Sequence, residues 1–284
     1  MSEFIPNILE ATNGAVIRAL GIGGGGCNAI DYLKNDGVVG VDFIAANSDS
    51  QALAKNVAEI KIQLGKNTAK GLGVGGNPEL GKKCAEENIE DIKRHIAGSD
   101  MLLLSAGMGG GTGTGAAPLI AQAAREMGAL VTAIVTKPFK NEGSQKRQYA
   151  EKGIEELRKS VDSIIVVSNQ KLIDTIDKSI PFKRANKMVN EVLINAAKGI
   201  VSIIQHAGEM NIDFADIRAL LKGSGDTLIG VGAAKGENRA VHAAENALNS
   251  PLLDDISIEG AKGVLINITA DEDLSVAEIN TTLK

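Results

Sequence analysis

A glycine-rich stretch at residues 105–115, Ser-Ala-Gly-Met-Gly-Gly-Gly-Thr-Gly-Thr-Gly, carries residue types suited to binding an anion. The glycines at 107–113 have no Cβ, so the backbone can approach a ligand closely and turn its N–H groups toward it. Thr112 and Thr114 add hydroxyl donors. An apolar, strand-like run precedes the stretch and a helical run follows it, so the positive end of that helix would face the loop. The stretch therefore predicts a phosphate-binding loop.

Two other interpretations of the glycine-rich segments compete with this one. The 105–115 stretch lacks the Lys of the Walker-type motif, and taken alone it could be a flexible linker or a tight turn. The pattern G-x-G-x-x-G at residues 21–26 could mark a dinucleotide site. The acid that such a site needs at the end of the second strand is missing, because Asp42 begins that strand and Asp49 lies beyond its end. A nucleoside triphosphate, by contrast, has phosphates enough for several loops.

The elements that must position these loops alternate between strand-like and helix-like segments. The predicted strands are residues 15–22, 42–46, 59–64, 100–106, 129–136 and 163–168. Such alternation predicts an α/β fold with a parallel sheet covered on both faces, and ligand loops at the carboxyl ends of its strands. A third glycine-rich loop at 71–76 precedes a helix that Asn77 should cap, with Pro78 in its first position.

The pattern changes after this region. Residues 183–206 have an apolar stripe with helical spacing and predict one long helix. A short helix opens at 211–216, and strands are predicted at 228–233 and 264–269 on either side of a helix at 237–249. We therefore expect a nucleotide-binding domain over residues 1–182, a central helix over 183–207, and a smaller, incomplete α+β domain over 208–284.

Composition narrows the class of protein. The chain has 284 residues and is 44% apolar but only 2% aromatic, so its core should be aliphatic. A net charge of −5 without a basic cluster argues against nucleic acid as the principal partner. Cys27 and Cys84 have neither metal-ligand nor disulfide spacing, and no signal peptide or membrane-spanning run is evident. We expect a cytoplasmic protein with no direct membrane insertion and no bound metal other than one carried by a nucleotide.

Seven segments together resemble the tubulin/FtsZ family of GTPases, and within it the bacterial cell-division GTPases. They occur in the family's order and spacing, at residues 21–28, 46–53, 71–81, 107–118, 135–139, 211–216 and 250–253. The resemblance implies a GTP-binding protein that polymerises head to tail into protofilaments of the midcell division ring. It also implies GTP or GDP as ligand, with Mg²⁺ held mainly through the phosphates.

The resemblance further implies roles for individual residues. The phosphate and sugar contacts of the family fall on Gly24, Gly25, Gly26, Cys27 and Asn28, and on Gly109, Gly110, Gly111, Thr112 and Gly113. Glu142 matches a ribose-binding acid, Lys146 aligns with an Arg of the family, and Asn190 matches the residue that reads the guanine edge.

The catalytic role falls on Asn211, Asp213 and Asp216. Asp213 and Asp216 are three residues apart at a helix start, so they share a face. From the sequence alone, acids at a helix N-terminus are more simply explained as caps. The resemblance implies instead that they project into the GTP site of the next subunit and polarise the attacking water.

Three departures from the family leave an alternative open. Lys146 replaces an Arg and cannot form its bidentate fork, and Asn186 stands where an aromatic residue stacks on guanine. The family's final strands, linker and C-terminal peptide, which binds division proteins, have no counterpart here, so we expect a truncated or divergent relative. The alternative function is a nucleotide-binding scaffold with little turnover. A nicotinamide-dependent oxidoreductase, based on residues 21–26, is the third hypothesis.

Overall fold

The computed structural model describes residues 14–175, 194–195, 197–202, 204, 213–250, 261, 263–271 and 273–282. Seven strands form one sheet in the order β3-β2-β1-β4-β5-β6-β7, and all neighbouring pairs are parallel. The strands are β1 Ile17–Ile22, β2 Val41–Asn47, β3 Ile60–Gln63, β4 Met101–Gly107, β5 Leu130–Lys137, β6 Ser163–Ser168 and β7 Gly225–Asp226. The α/β class with a parallel sheet is confirmed.

Helices fill the connections between the strands. They are α1 Gly23–Asn35, α2 Ser50–Lys55, α3 Pro78–Glu87, α4 Ile89–Ile96, α5 Thr112–Glu126, α6 Ser144–Ser160, α7 Asn169–Thr175, α8 Phe214–Leu221, α9 Arg239–Leu248 and α10 Val276–Thr282, with a 3₁₀ turn at Lys140–Glu142. Residues 194–195, 197–202 and 204, inside the predicted central helix, are helical. Among the described helices, none has the length and hydropathy of a transmembrane segment.

The sheet is buried on both faces because successive side chains of a strand point to opposite sides. In β1, Ile17 and Ala19 belong to the cluster formed with α1, the segment 194–201 and α8. Leu20 and Ile22 belong to the cluster formed with α3, α4, α5 and α6. Two aliphatic layers therefore sandwich the sheet, and the loops at its two ends are the parts free to bind ligands.

Two glycine-rich segments differ from the prediction at their boundaries. The run Gly23–Gly26, predicted as a loop before a helix at Asn28, is the first turn of α1. Helix α5 begins at Thr112, inside the predicted phosphate loop, rather than at residue 116. The first N–H groups of a helix have no acceptor within the helix. A helix can therefore begin inside a ligand loop, where a bound anion accepts from these groups.

The two strands predicted at 228–233 and 264–269 are not formed in the described part of the chain. Val264, Ile266 and Ile268 do alternate, but their side chains are exposed in the structure. A strand requires a neighbour for its N–H and C=O groups, and alternation in a sequence does not supply one. The predicted domain boundaries at 182/183 and 207/208 lie outside the described residues.

Candidate nucleotide-binding site

The two main glycine runs meet at one point on the edge of the sheet. The first follows β1 and the second follows β4, and these strands are neighbours with Ile22 in register with Ala106. Strand β1 lies between β2 and β4, so the chain order reverses here. Ligands of open parallel sheets bind at such a switch point, beyond the carboxyl ends of the strands.

Glycine is required where the two runs touch. A Cβ on Gly26 would lie 2.2 Å from the carbonyl oxygen of Ser105, and one on Gly113 would lie 3.3 Å from that of Ile22. A Cβ on Gly23, which has φ +69°, would lie 2.9 Å from the Gly113 nitrogen. Any side chain at these positions would push the two runs apart, so these glycines hold the two helix N-termini together.

Two other glycines of the runs, Gly24 and Gly110, face open space. Gly24 and Gly25 are exposed in the first turn of α1. A Cβ on Gly24 or Gly110 would meet nothing within 4 Å. The early N–H groups of α1 and α5 have no acceptor inside their helices and border the same space. This arrangement makes a concave anion site with two helix dipoles directed at it.

The threonine hydroxyls of the second run are partly used by the protein itself. Gly109 donates its N–H to the Thr114 hydroxyl at 2.8 Å, and Thr114 is 3% exposed. Thr114 therefore shapes the loop as a buried acceptor, and the Gly109 N–H is turned inward. The Thr112 hydroxyl lies 2.7 Å from the hydroxyl of Ser48, at the end of β2.

The third glycine-rich loop packs against the second. A Cβ on Gly111 would lie 2.4 Å from Val74 Cγ2 and 2.8 Å from the Asn77 nitrogen. Asn77 caps α3 as predicted, because its side chain accepts from the Leu80 N–H. Residues 71–76 thus support the wall of the site formed by the α5 N-terminus.

Two predicted contacts at the start of α1 are placed differently from each other. Asn28 is exposed. Cys27 is only 3% exposed and directs its thiol at the carbonyl oxygens of Gly21 and Ala46. Burial in the core raises the pKa of this thiol to about 12. The Cys27 side chain therefore belongs to the core, and only its backbone remains available to a ligand.

Glu142, the predicted ribose-binding acid, lies beside Lys146, which aligns with an Arg of the family. Lys146 Nζ lies 3.0 Å from Glu142 Oε2, and Glu142 Oε1 accepts from the Phe139 N–H at 2.9 Å. A Cβ on Gly109 would lie 2.6 Å from the Lys146 carbonyl oxygen, so this segment packs directly on the phosphate loop. Both side chains are partly exposed.

One polar group at the same edge was missed by the sequence analysis. Asn169 follows β6, and its Oδ1 is buried with no hydrogen-bond partner among the described residues. A buried amide oxygen without a partner is costly, so this atom is a candidate acceptor for a ligand N–H or O–H group. An Asn at a strand end is common in turns, and no sequence signal separated it from that role.

The predicted catalytic acids lie at the other end of the sheet. Asp213 and Asp216 are exposed at the start of α8, and the Asp213 side chain makes no capping hydrogen bond. Arg218 of the same helix donates to the carbonyl oxygens of Asp100 at 3.1 Å and Gly128 at 3.4 Å. Those residues precede β4 and β5, so α8 is anchored at the amino ends of the strands.

Three other predicted residues lie outside the described part of the chain. They are Asn186, Asn190 and Asn211.

The two acids considered for a dinucleotide site, Asp42 and Asp49, both have partners within the protein. Asp42 pairs with Arg18 at 3.3 Å near the amino end of β2. Asp49 accepts from the N–H groups of Gln51 and Ala52 as the cap of α2. Neither carboxylate is therefore available to bind ribose hydroxyls as a dinucleotide site requires.

A parallel sheet with two helix N-termini and three glycine-rich loops at its switch point defines a protein that binds a nucleotide through its phosphates. Comparison with known families agrees. Residues 16–177 match the model of the tubulin/FtsZ family GTPase domain, and residues 225–284 match that of the FtsZ family C-terminal domain. The chain belongs to the tubulin/FtsZ family.

Individual relatives support the same assignment. The chain is 48% identical to the cell division protein FtsZ of Buchnera aphidicola subsp. Acyrthosiphon pisum, over 96% of this chain and 71% of the relative. It is 47% identical to the cell division protein FtsZ of Wigglesworthia glossinidia brevipalpis, over 95% of this chain and 70% of the relative. An empty FtsZ dimer of M. jannaschii superposes with a TM-score of 0.89 at 43% identity, covering 95% of this chain and 78% of that one.

These matches define the function at the level of the family. The chain is a GTP-binding, GTP-hydrolysing protein of cell division that assembles into polymers. They do not favour the alternative of a scaffold with little turnover.

Proposed function

We propose that GTP binds in the cradle formed by the N-termini of α1 and α5, and that its hydrolysis is completed by a second subunit. In this proposal the backbone of residues 24–26 and 110–113 holds the phosphates. Glu142 and Asn169 accept hydrogen bonds from the nucleoside, and Asn190 reads the guanine edge. Asp213, Asp216 and Asn211 act on the GTP bound to the neighbouring chain.

The observation that carries this proposal is the separation of the acids from the cradle within one chain. Arg218 ties α8 to the residue before β4, whereas the phosphate loop begins at the end of β4. Strand β4 has 7 residues, which at roughly 3.3 Å per residue places its two ends about 20 Å apart. Stacking chains head to tail brings the amino-end face of one subunit to the carboxyl-end face of the next.

The surroundings of the two acids support the same division of labour. Asp213 and Asp216 are exposed, and neither carboxylate has a hydrogen bond or ion pair with another described residue. Exposed, unpaired carboxylates contribute little to the fold of their own chain. They are free to orient and polarise a water molecule that attacks the terminal phosphate across the interface.

Phosphoryl transfer asks the protein mainly for positioning and charge compensation. The helix N-termini and N–H groups of the cradle supply compensation from one chain, and the acids position the water from the other. Mg²⁺, when bound, neutralises the charge on the phosphate oxygens. The described residues contain no group of three or more His, Cys, Asp or Glu side chains able to cage a metal ion, so the ion's ligands would come mainly from phosphates and water.

We extend the proposal to the cellular setting. The protein acts in the cytoplasm at the midcell division ring, as a head-to-tail homopolymer. Other division proteins would recognise a C-terminal peptide of the kind that the family carries.

Mixing two inactive variants tests the shared site. Asp216→Ala should bind GTP with unchanged affinity, form filaments and hydrolyse GTP very slowly. Thr112→Ala should bind GTP weakly, because it loses a charge-assisted hydrogen bond worth about 1.5–3 kcal/mol. In a mixture, one chain supplies the intact cradle and the other the intact acids, so phosphate release should exceed the sum of the separate proteins.

Two measurements make the test decisive. Light scattering of each variant and of the mixture establishes that filaments form before turnover is compared. Wild-type turnover per subunit should also rise with protein concentration. Loss of GTP affinity in Asp216→Ala, or turnover independent of protein concentration, would place the acids in the site of their own chain and refute the proposal.

A further inference from the structure

A pair of buried hydroxyl groups lies directly behind the phosphate cradle. The Oγ atom of Ser48 is 2.7 Å from Oγ1 of Thr112, the first residue of α5. Ser48 is 0% exposed and Thr112 is 8% exposed. Ser48 follows β2, so the bond joins two elements that are far apart in the sequence and adjacent at the switch point.

The two hydroxyls carry two hydrogens, but a bond between them uses only one. Among the described residues, neither hydroxyl has another hydrogen-bond partner. The second hydrogen therefore remains for an acceptor that the described residues do not provide. Which hydroxyl keeps this second hydrogen depends on which of the two donates within the pair.

The positions of the two residues decide the direction. Ser48 is 0% exposed, whereas Thr112 keeps 8% exposure at the positive end of α5, two residues from Gly110, whose added Cβ would meet nothing within 4 Å. Only Thr112 can reach an anion there. We propose that Ser48 is a positioning residue that donates its hydrogen bond to Thr112, so that the Thr112 hydroxyl donates outward to a phosphate oxygen.

This arrangement makes Thr112 a better donor than an isolated threonine. A hydroxyl that accepts one hydrogen bond is polarised and donates a stronger one. It is also held in the donating orientation before the nucleotide arrives, which lowers the ordering cost of binding. The inference rests on the proposed function, because it assumes that Thr112 contacts a phosphate.

The chain contains a matched control. Ser163 donates to Thr132 at 2.8 Å, both residues are 0% exposed, and they face each other across β5 and β6. This pair has the same chemistry, but it lies toward the amino ends of its strands, away from the cradle. Ser163→Ala therefore reports the cost of breaking a buried hydroxyl pair without touching the nucleotide site.

The test measures affinities for GDP and for guanosine, which lacks phosphate, in Ser48→Ala, Ser163→Ala, Thr112→Val and the double variant Ser48→Ala/Thr112→Val. Ser48→Ala should weaken GDP binding about fivefold, the size of one neutral hydrogen bond, and leave guanosine binding unchanged. Ser163→Ala should change neither affinity. The double variant should bind GDP like Thr112→Val alone, because Ser48 acts only through Thr112.

The outcomes separate this inference from the proposal on which it rests. If Thr112→Val weakens GDP binding but Ser48→Ala does not, the positioning role of Ser48 is refuted while the cradle stands. Equal losses of GDP and guanosine affinity in Ser48→Ala, or a GDP loss additive with that of Thr112→Val, would refute it as well. If Thr112→Val leaves GDP affinity unchanged, the phosphate contact of Thr112 is itself wrong.

Discussion

The substitution Gly111→Ala tests whether Gly111 is needed for packing between the glycine-rich loops rather than for contact with the ligand. Gly111 precedes α5 with φ −77° and ψ −59°, a conformation that alanine adopts readily. The added Cβ would nevertheless lie 2.4 Å from Val74 Cγ2 and 2.8 Å from the Asn77 nitrogen. Carbon atoms pack best at about 3.5–4.0 Å, so the Val74 contact is too short by more than about 1 Å.

The cost of this substitution follows from the contacts. Overpacking of a tight site costs about 1–3 kcal/mol, and the lower chain entropy of unfolded alanine returns about 0.4–1 kcal/mol. The loop cannot relax easily, because the contacted Asn77 nitrogen is a backbone atom and Asn77 is the N-cap residue of α3. We expect the free energy of unfolding to fall by about 1–2 kcal/mol and the melting temperature by about 2–4 °C.

Gly110→Ala is the matched control in the same loop. Its Cβ would meet nothing within 4 Å, so stability should stay within about 0.5 kcal/mol of wild type. The open space is the one we assign to the phosphates, so GTP affinity should fall. Calorimetric melting and titration with a fluorescent GTP analogue check both variants. A wild-type melting temperature for Gly111→Ala would refute tight packing between Gly111 and the loop at residues 71–76. Wild-type GTP affinity for Gly110→Ala would refute the proposed placement of the phosphates.

Three further predictions concern single side chains. Lys146→Arg should bind GTP more tightly, because a guanidinium can form two parallel bonds to phosphate where the ammonium beside Glu142 forms a point contact; an unchanged dissociation constant would contradict this. Cys27 should resist iodoacetamide at pH 8 in the folded protein, since a thiol with its pKa raised to about 12 by burial is protonated there, and alkylation detected by mass spectrometry before unfolding would count against it. Hydrogen bonds from Arg239 lower the pKa of Glu278 from 4.5 to about 2, so its contribution to stability is complete above about pH 4.5 and disappears as the pH falls toward 2. The difference in urea midpoint between wild type and Glu278→Gln should shrink over that interval, and a constant difference would show that the carboxylate charge is irrelevant.

Local patterns in the sequence were sufficient to predict several features of this fold. Apolar runs followed by glycines predicted parallel strands with ligand loops at their carboxyl ends, and the structure has this arrangement at β1 and β4. Asn77 with Pro78 predicted a helix start, and the cap is formed. These features were predictable because strand alternation, capping and glycine conformation are properties of a few neighbouring residues.

The hydrogen-bond partner of each polar group depends on packing between distant segments. From the sequence, Thr112 and Thr114 had the same predicted role. In the structure, the Thr114 hydroxyl accepts from the Gly109 N–H, whereas the Thr112 hydroxyl pairs with that of Ser48. It also left Asn169 Oδ1 buried at the same edge without a partner. Hydrogen-bond partners that are distant in the sequence are set by sheet order, which no local pattern specifies.

The position of Asp213 and Asp216 relative to the cradle is the clearest example of a feature that depends on tertiary packing. From the spacing of Asp213 and Asp216 alone, helix caps were the simpler explanation, and only the family resemblance favoured a catalytic pair. The bonds from Arg218 to the residues before β4 and β5 put their helix at the end of the sheet opposite the cradle. The sequence specifies which residues share a helix face, because that is a matter of 3.6 residues per turn. Which end of the sheet the helix occupies depends on packing between segments more than a hundred residues apart, such as Asp100 and Arg218.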